Sequence, residues 1–125
     1  MTAIFSTPVS VIPHLKAGRL RALATTGSKR ALTMPDLPTI AESGYPGYEA
    51  INWYGYAAPA KTPKEIISRL HKELFAILSD PAIREQMLSH GMEAAPGTTE
   101  SFARYIRSEY ETWGRVVKEA GITAN

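Results

Sequence analysis

The chain has 125 residues, 14 Lys and Arg against 12 Asp and Glu, and no cysteine. Zero cysteine excludes disulfides, Cys-ligated zinc, iron–sulfur clusters and a thiol nucleophile, and a net charge of +2 with interspersed signs lacks the clustered positive face that nucleic-acid binding needs. At 44% apolar the chain holds the material for a core, yet its longest uncharged stretch, Met1 to Pro13, falls short of the roughly 20 apolar residues of a membrane span.

Ser6-Thr7-Pro8 opens the first predicted helix. Ser or Thr supplies a side-chain oxygen for the free N–H groups of a helix start, and Pro suits the first helical position. Val9, Ile12 and Leu15 follow at helical spacing, and Gly18 is the expected stop. Pro13 argues against a long helix unless the start shifts to Ser10, which would put it in the tolerant first turn. No basic region followed by an apolar one precedes this helix, so no export signal is expected in this chain. Residues 19–26 alternate charged and apolar positions and end in small residues, which predicts a strand buried at its end. A long loop follows to Pro38, then one helical turn capped by Thr39 and ended by Gly44.

Tyr45-Pro46-Gly47-Tyr48 is a connector, and the aromatic-rich run from Glu49 to Pro59 predicts a buried strand. Thr62-Pro63-Lys64-Glu65 has the form of a capping box. The helix it opens carries Ile66, Ile67, Leu70, Leu74, Ile77 and Leu78 on one face. Asp80-Pro81 stops that helix and caps another, which runs to Gly91. Met92 to Pro96 is a candidate short strand. Thr98 or Thr99 opens the last helix, with Phe102, Ile106, Tyr110, Trp113 and Val117 every three or four residues and Gly121 at its end.

Enzyme signatures are missing. There is no Gly-rich phosphate loop, no nucleophile elbow and no H-E-x-x-H. His14, His71 and His90 fall in separate elements without metal-ligand spacing, and Glu109 and Glu111 diverge around a helix, so a solvated face is expected for them. No catalysis, metal or cofactor is expected. Two groups remain as candidate ligand contacts. Ser6, Thr7 and Ser10 stand at a helix N-terminus, where free N–H groups, hydroxyls and the dipole favour a small anion; capping alone is the competing role. Trp53 and Tyr54 form either an aromatic wall at a cleft or ordinary core packing, and Trp113 is expected in the core.

Pro13-His14-Leu15-Lys16-Ala17-Gly18-Arg19-Leu20-Arg21-Ala22-Leu23-Ala24, Lys29-Arg30 and the run from Pro35 to Gly44 form a series of motifs. It continues with Gly47-Tyr48-Glu49, Trp53-Tyr54-Gly55, Ala58-Pro59-Ala60, Thr62-Pro63-Lys64-Glu65-Ile66, Leu78-Ser79-Asp80-Pro81 and Trp113-Gly114-Arg115-Val116-Val117-Lys118. In order and spacing the series resembles the tripartite tricarboxylate transporter substrate-binding receptors, the TctC or Bug family, over their C-terminal part. The resemblance implies an α/β chain, the C-terminal portion of a two-lobed, type II-like periplasmic-binding-protein fold, helix-rich with few short strands. It implies residues 1–45 as the end of the second lobe, and residues 46–125 as the crossover strand and helices of the first. It also implies a receptor for small organic acids, periplasmic when intact, that serves a membrane permease. Family members often carry Asp-Asn where this chain has Ser6-Thr7, a departure that affects ligand preference or only capping. Lobe pieces expose apolar faces, so a homo-oligomer or domain-swapped dimer is expected. The alternative is a standalone self-associating binding or assembly module with no role in solute uptake.

Overall fold

The structure is a computed structural model that describes residues 3–123. Four helices form: α1 (Pro8–Lys16), α2 (Lys64–Ser79), α3 (Pro81–Ser89) and α4 (Thr99–Glu119). Their order and approximate bounds follow the apolar periodicity and the Pro and Gly punctuation of the sequence. α1 begins at Pro8, so Pro13 lies inside it and forgoes the bond to the Val9 carbonyl.

Three of these helices end the same way. After α3, the Gly91 N–H donates to the Leu88 carbonyl (2.9 Å) and the Met92 N–H to Met87 (3.0 Å), with Gly91 at φ +79°. This reciprocal pair uses up the last free carbonyls and needs a residue that tolerates positive φ. Gly18 after α1 and Gly121 after α4 close their helices with the same two bonds. Gly91 has a second reason: a Cβ there would sit 2.9 Å from Pro8 Cβ and 3.1 Å from the Val9 nitrogen. The end of α3 thus packs directly on the first turn of α1.

The N-termini correct one expectation. The α2 N-cap is Pro63 and no side chain caps it, so the Thr62–Glu65 box does not form. Asp80 does cap α3, accepting from the Ala82 and Ile83 N–H groups at 2.8 and 3.2 Å, and Thr98 caps α4 through Ser101 at 3.0 Å.

The predicted strands are the larger correction. Among the described residues none of 19–26, 49–59 or 92–96 is a strand; one isolated parallel bridge joins Thr25 to Thr39. Parallel strands take their hydrogen bonds from neighbours distant in sequence. Here the extended segments find few such neighbours. Thr25 donates to Pro38 and accepts from Ile40 at 2.9 Å each, and Ala50 donates to Thr26 at 2.9 Å.

Burial follows the same logic. No apolar side chain among the described residues is buried, and Thr39, 1% exposed, is the one buried residue. The accessible surface is 10547 Å², against about 6,600 Å² for a compact monomer of 13.7 kDa. Helix faces that are amphipathic in sequence remain open, Trp113 included (45% exposed), so the core expected around it is not formed by these residues. What holds the helices together is a few specific ties. α2 packs on α3. His71 on α2 bonds the Gly97 carbonyl ahead of α4 through Nε2 at 2.8 Å. The Leu32 N–H donates to Glu93 at 2.8 Å.

Candidate functional site

Ser6, Thr7 and Ser10 gather at the start of α1. Thr7 has the extended backbone of an N-cap (φ −76°, ψ 147°), but its hydroxyl caps no backbone N–H. It pairs instead with the Ser10 hydroxyl at 3.1 Å, while the Thr7 carbonyl accepts from the Ser10 and Val11 N–H groups. Side-chain capping, the competing role for these residues, is therefore not what Thr7 does. Ser6 and Ser10 are exposed and Thr7 is half-buried. Two hydroxyls at a helix N-terminus suit a carboxylate group, and they rather than the backbone supply the donors, since Pro8 has no N–H and the Ser10 and Val11 N–H groups bond the Thr7 carbonyl.

Trp53 and Tyr54 part company. The Trp53 ring turns onto α4, edge-on to Phe102 and to Tyr105 with centroids 5.6 Å apart in each case. Its indole N–H donates to Glu109 Oε2 at 3.1 Å, and the Trp113 N–H donates to the same oxygen at 3.2 Å. One carboxylate oxygen therefore joins both tryptophans of the chain. Gly55 lies over the end of the Phe102 ring, so close that a Cβ would fall 2.2 Å from Phe102 Cζ. Tyr54, between Trp53 and Gly55, is 79% exposed, and its hydroxyl accepts from the Asn52 amide at 3.2 Å. An open trough lined by Ile51, Trp53, Ile106, Glu109, Trp113 and Val117 runs beside this joint. The Tyr105 hydroxyl is buried without a partner, and burial first, then the charges of Glu109 and Glu49, pushes its pKa up.

A third cluster shapes the long loop before the connector. Glu42 accepts from the Thr39 N–H at 2.8 Å, and the Thr39 hydroxyl accepts from the Glu42 N–H at 3.0 Å. Arg30 binds both Glu42 oxygens through Nε, at 3.0 and 3.2 Å. Ser28 donates to Glu49 at 3.0 Å, which ties the start of the loop to the far side of the connector.

The structure thus joins Thr7 to Ser10 and Trp53 to α4, and no hydrogen bond among the described residues links the α1 group to Trp53 or Tyr54. Sequence reasoning missed Glu109, which was expected on a solvated face. Its one sequence signal is the four-residue spacing to Trp113, which puts both on one helical face. Among the described residues no three His, Asp or Glu side chains converge as metal ligands, and no helix is long and apolar enough to cross a membrane.

Comparison with known proteins adds the following. The model of the family described as tripartite tricarboxylate transporter family receptor matches residues 1–122. A UPF0065 protein from the tcbD-tcbE intergenic region of a Pseudomonas species is 35% identical over 113 residues. That match covers 90% of this chain and 34% of the relative. BugT of Bordetella pertussis is 34% identical over 112 residues, again covering 90% of this chain and 34% of its own. Among solved structures, R. palustris Rpa4515 with adipate superposes with a TM-score of 0.79 at 36% identity, over 90% of this chain and 38% of that one. The periplasmic binding protein BugD superposes with a TM-score of 0.73 at 36% identity, over 92% and 39%. The chain therefore spans about a third of the length of the curated relatives it matches. The matched family is one of receptors, and BugD is a periplasmic binding protein.

Proposed function

This chain belongs to the tripartite tricarboxylate transporter receptor family, and from that premise we propose that it is the C-terminal part of an extracytoplasmic receptor that binds small organic acids, carboxylates foremost, for a membrane permease. The observation that carries this reading is the superposition, at a TM-score of 0.79, on a relative solved with adipate. In this reading the receptor is periplasmic, residues 1–45 end its second lobe, and residues 46–125 cross over and complete the first. Ligand closes the two lobes, and no chemistry follows.

The ligand contacts proposed are Ser6, Thr7 and Ser10 at the α1 N-terminus, and Tyr54 in the crossover. Trp53, also expected as a contact, serves this role through its backing of Tyr54, since its own ring is committed to α4. Short hydroxyl donors where many family members have Asp-Asn present no negative charge to an incoming carboxylate.

The test is a thermal-shift series of the 125-residue chain against mono-, di- and tricarboxylates. A ligand at 100 times its Kd stabilises by about 2.7 kcal/mol. One class of acid should raise Tm, and Ser10→Ala should weaken the shift. A folded sample that no acid stabilises would mean that this chain alone keeps no working half-site and that binding needs the rest of the receptor.

The second reading, a self-associating assembly module, rests on the open apolar faces and the excess of accessible surface. Both readings expect the isolated chain to form a dimer or larger species, and a monodisperse 13.7 kDa particle in light scattering would contradict that expectation. An acid-specific thermal shift favours the receptor.

A further inference from the structure

We propose that Glu109 is a positioning residue that fixes the register of the 52–55 segment on α4 and so turns Tyr54 away from the helix; the receptor reading enters only in naming Tyr54's side as the ligand side.

Along α4, Phe102, Tyr105, Glu109 and Trp113 are spaced by three, four and four residues, which places them on one face. The bond from the Trp113 N–H to Glu109 Oε2 lies within α4 itself, so the carboxylate is oriented by its own helix before the crossover segment meets it. Trp53 then adds its N–H to the same oxygen while its ring fits edge-on between Phe102 and Tyr105. Two residues on, Gly55 leaves the space that the Phe102 ring fills.

Only one register satisfies these conditions. In an extended segment alternate residues share a side, so Trp53 and Gly55 face α4 and Tyr54 faces away. A slip by one residue would bring Tyr54 or Tyr56 onto Phe102, where a Cβ already collides, and would turn the indole outward. A slip by two would offer Ile51 or Gly55 to Glu109, and neither side chain has a donor. A donor at 53 and the absence of a side chain at 55 together select the observed alignment. The outward Tyr54, 79% exposed with its hydroxyl steadied by Asn52, is the result.

The test is an amide and indole proton–nitrogen correlation spectrum of the full 125-residue chain and its variants. The chain has two tryptophans, hence two indole N–H signals. Glu109→Gln should shift both signals together, because one carboxylate holds both, and should keep both dispersed, since the amide oxygen still accepts. Glu109→Leu should collapse the Trp53 signal toward its unfolded position and weaken its aromatic contacts with Phe102 and Tyr105. Glu49→Gln, at the other acid near Tyr105, should leave both indole signals in place. A Glu109→Gln spectrum in which only one indole signal moves, or a Glu109→Leu variant that keeps Trp53 packed on Phe102 and Tyr105, would overturn the proposal. No organic acid enters this experiment, so its failure and that of the receptor reading are separable.

Discussion

The Glu42 carboxylate accepts the Thr39 N–H at 2.8 Å while the Thr39 hydroxyl accepts the Glu42 N–H at 3.0 Å. This is a capping box on a single helical turn, and Arg30 closes it from the loop at 3.0 Å. Thr39 itself is the one buried residue among those described. The Thr39 N–H, with help from Arg30, holds the Glu42 pKa below its ordinary value of 4.5. A carboxylate whose pKa is depressed on folding stabilises the fold above its unfolded pKa and loses that contribution as pH falls through the folded one. Melting temperature should therefore start to drop near pH 4.5 and continue below it. Glu42→Gln should flatten part of that drop. Glu100, whose pKa is lowered by its own backbone N–H and by Thr99 and Thr98, acts in the same direction. Melting curves of both proteins across acid pH check the prediction. Identical acid profiles would contradict it.

Gly55→Ala places a methyl group 2.2 Å from Phe102 Cζ. Overpacking of this kind costs about 1–3 kcal/mol. The loss should be largely reversed by pairing it with Phe102→Leu, which clears the ring. A double-mutant cycle by denaturant titration measures the coupling. Additive costs would mean that the crossover segment does not rest on Phe102.

Caps offer a sharper contrast, because two similar-looking starts differ in the structure. Asp80→Ala removes an oxygen that takes two backbone N–H groups, and it should cost about 1 kcal/mol. Thr62→Ala should cost a few tenths at most, since the Thr62 side chain caps nothing in α2 and the helix start is set by Pro63. Thermal unfolding of the two variants side by side decides this. An equal loss at both positions would restore the capping box that the sequence suggests at 62–65.

The helices were legible because their signals are local. Asp80 and Thr98 cap within three residues, and Gly18, Gly91 and Gly121 end helices through bonds confined to one turn. The strands were not, because a strand is a relation between segments. Leu23-Ala24-Thr25-Thr26 has strand composition, but only Thr25 and Thr26 find backbone partners, in Pro38, Ile40 and Ala50. Glu109 was hidden for a related reason: half of its role is contributed by Trp53, 56 residues away. Ser6, Thr7 and Ser10 were placed correctly at a helix start, but the direction of the Thr7 hydroxyl, toward Ser10 and not toward a backbone N–H, is a choice between two nearby partners. The open faces of α2 and α4 carry the periodicity of core helices without a core to cover them. That mismatch agrees with a chain spanning about a third of its relatives' length.

The most direct test of the receptor account is a chimera. This chain replaces the 38% of R. palustris Rpa4515 on which it superposes, and titration calorimetry follows adipate and related acids. The account predicts a folded protein that binds a dicarboxylate, with affinity reduced by Ser10→Ala or Tyr54→Ala. A folded chimera that binds none of the acids would contradict it.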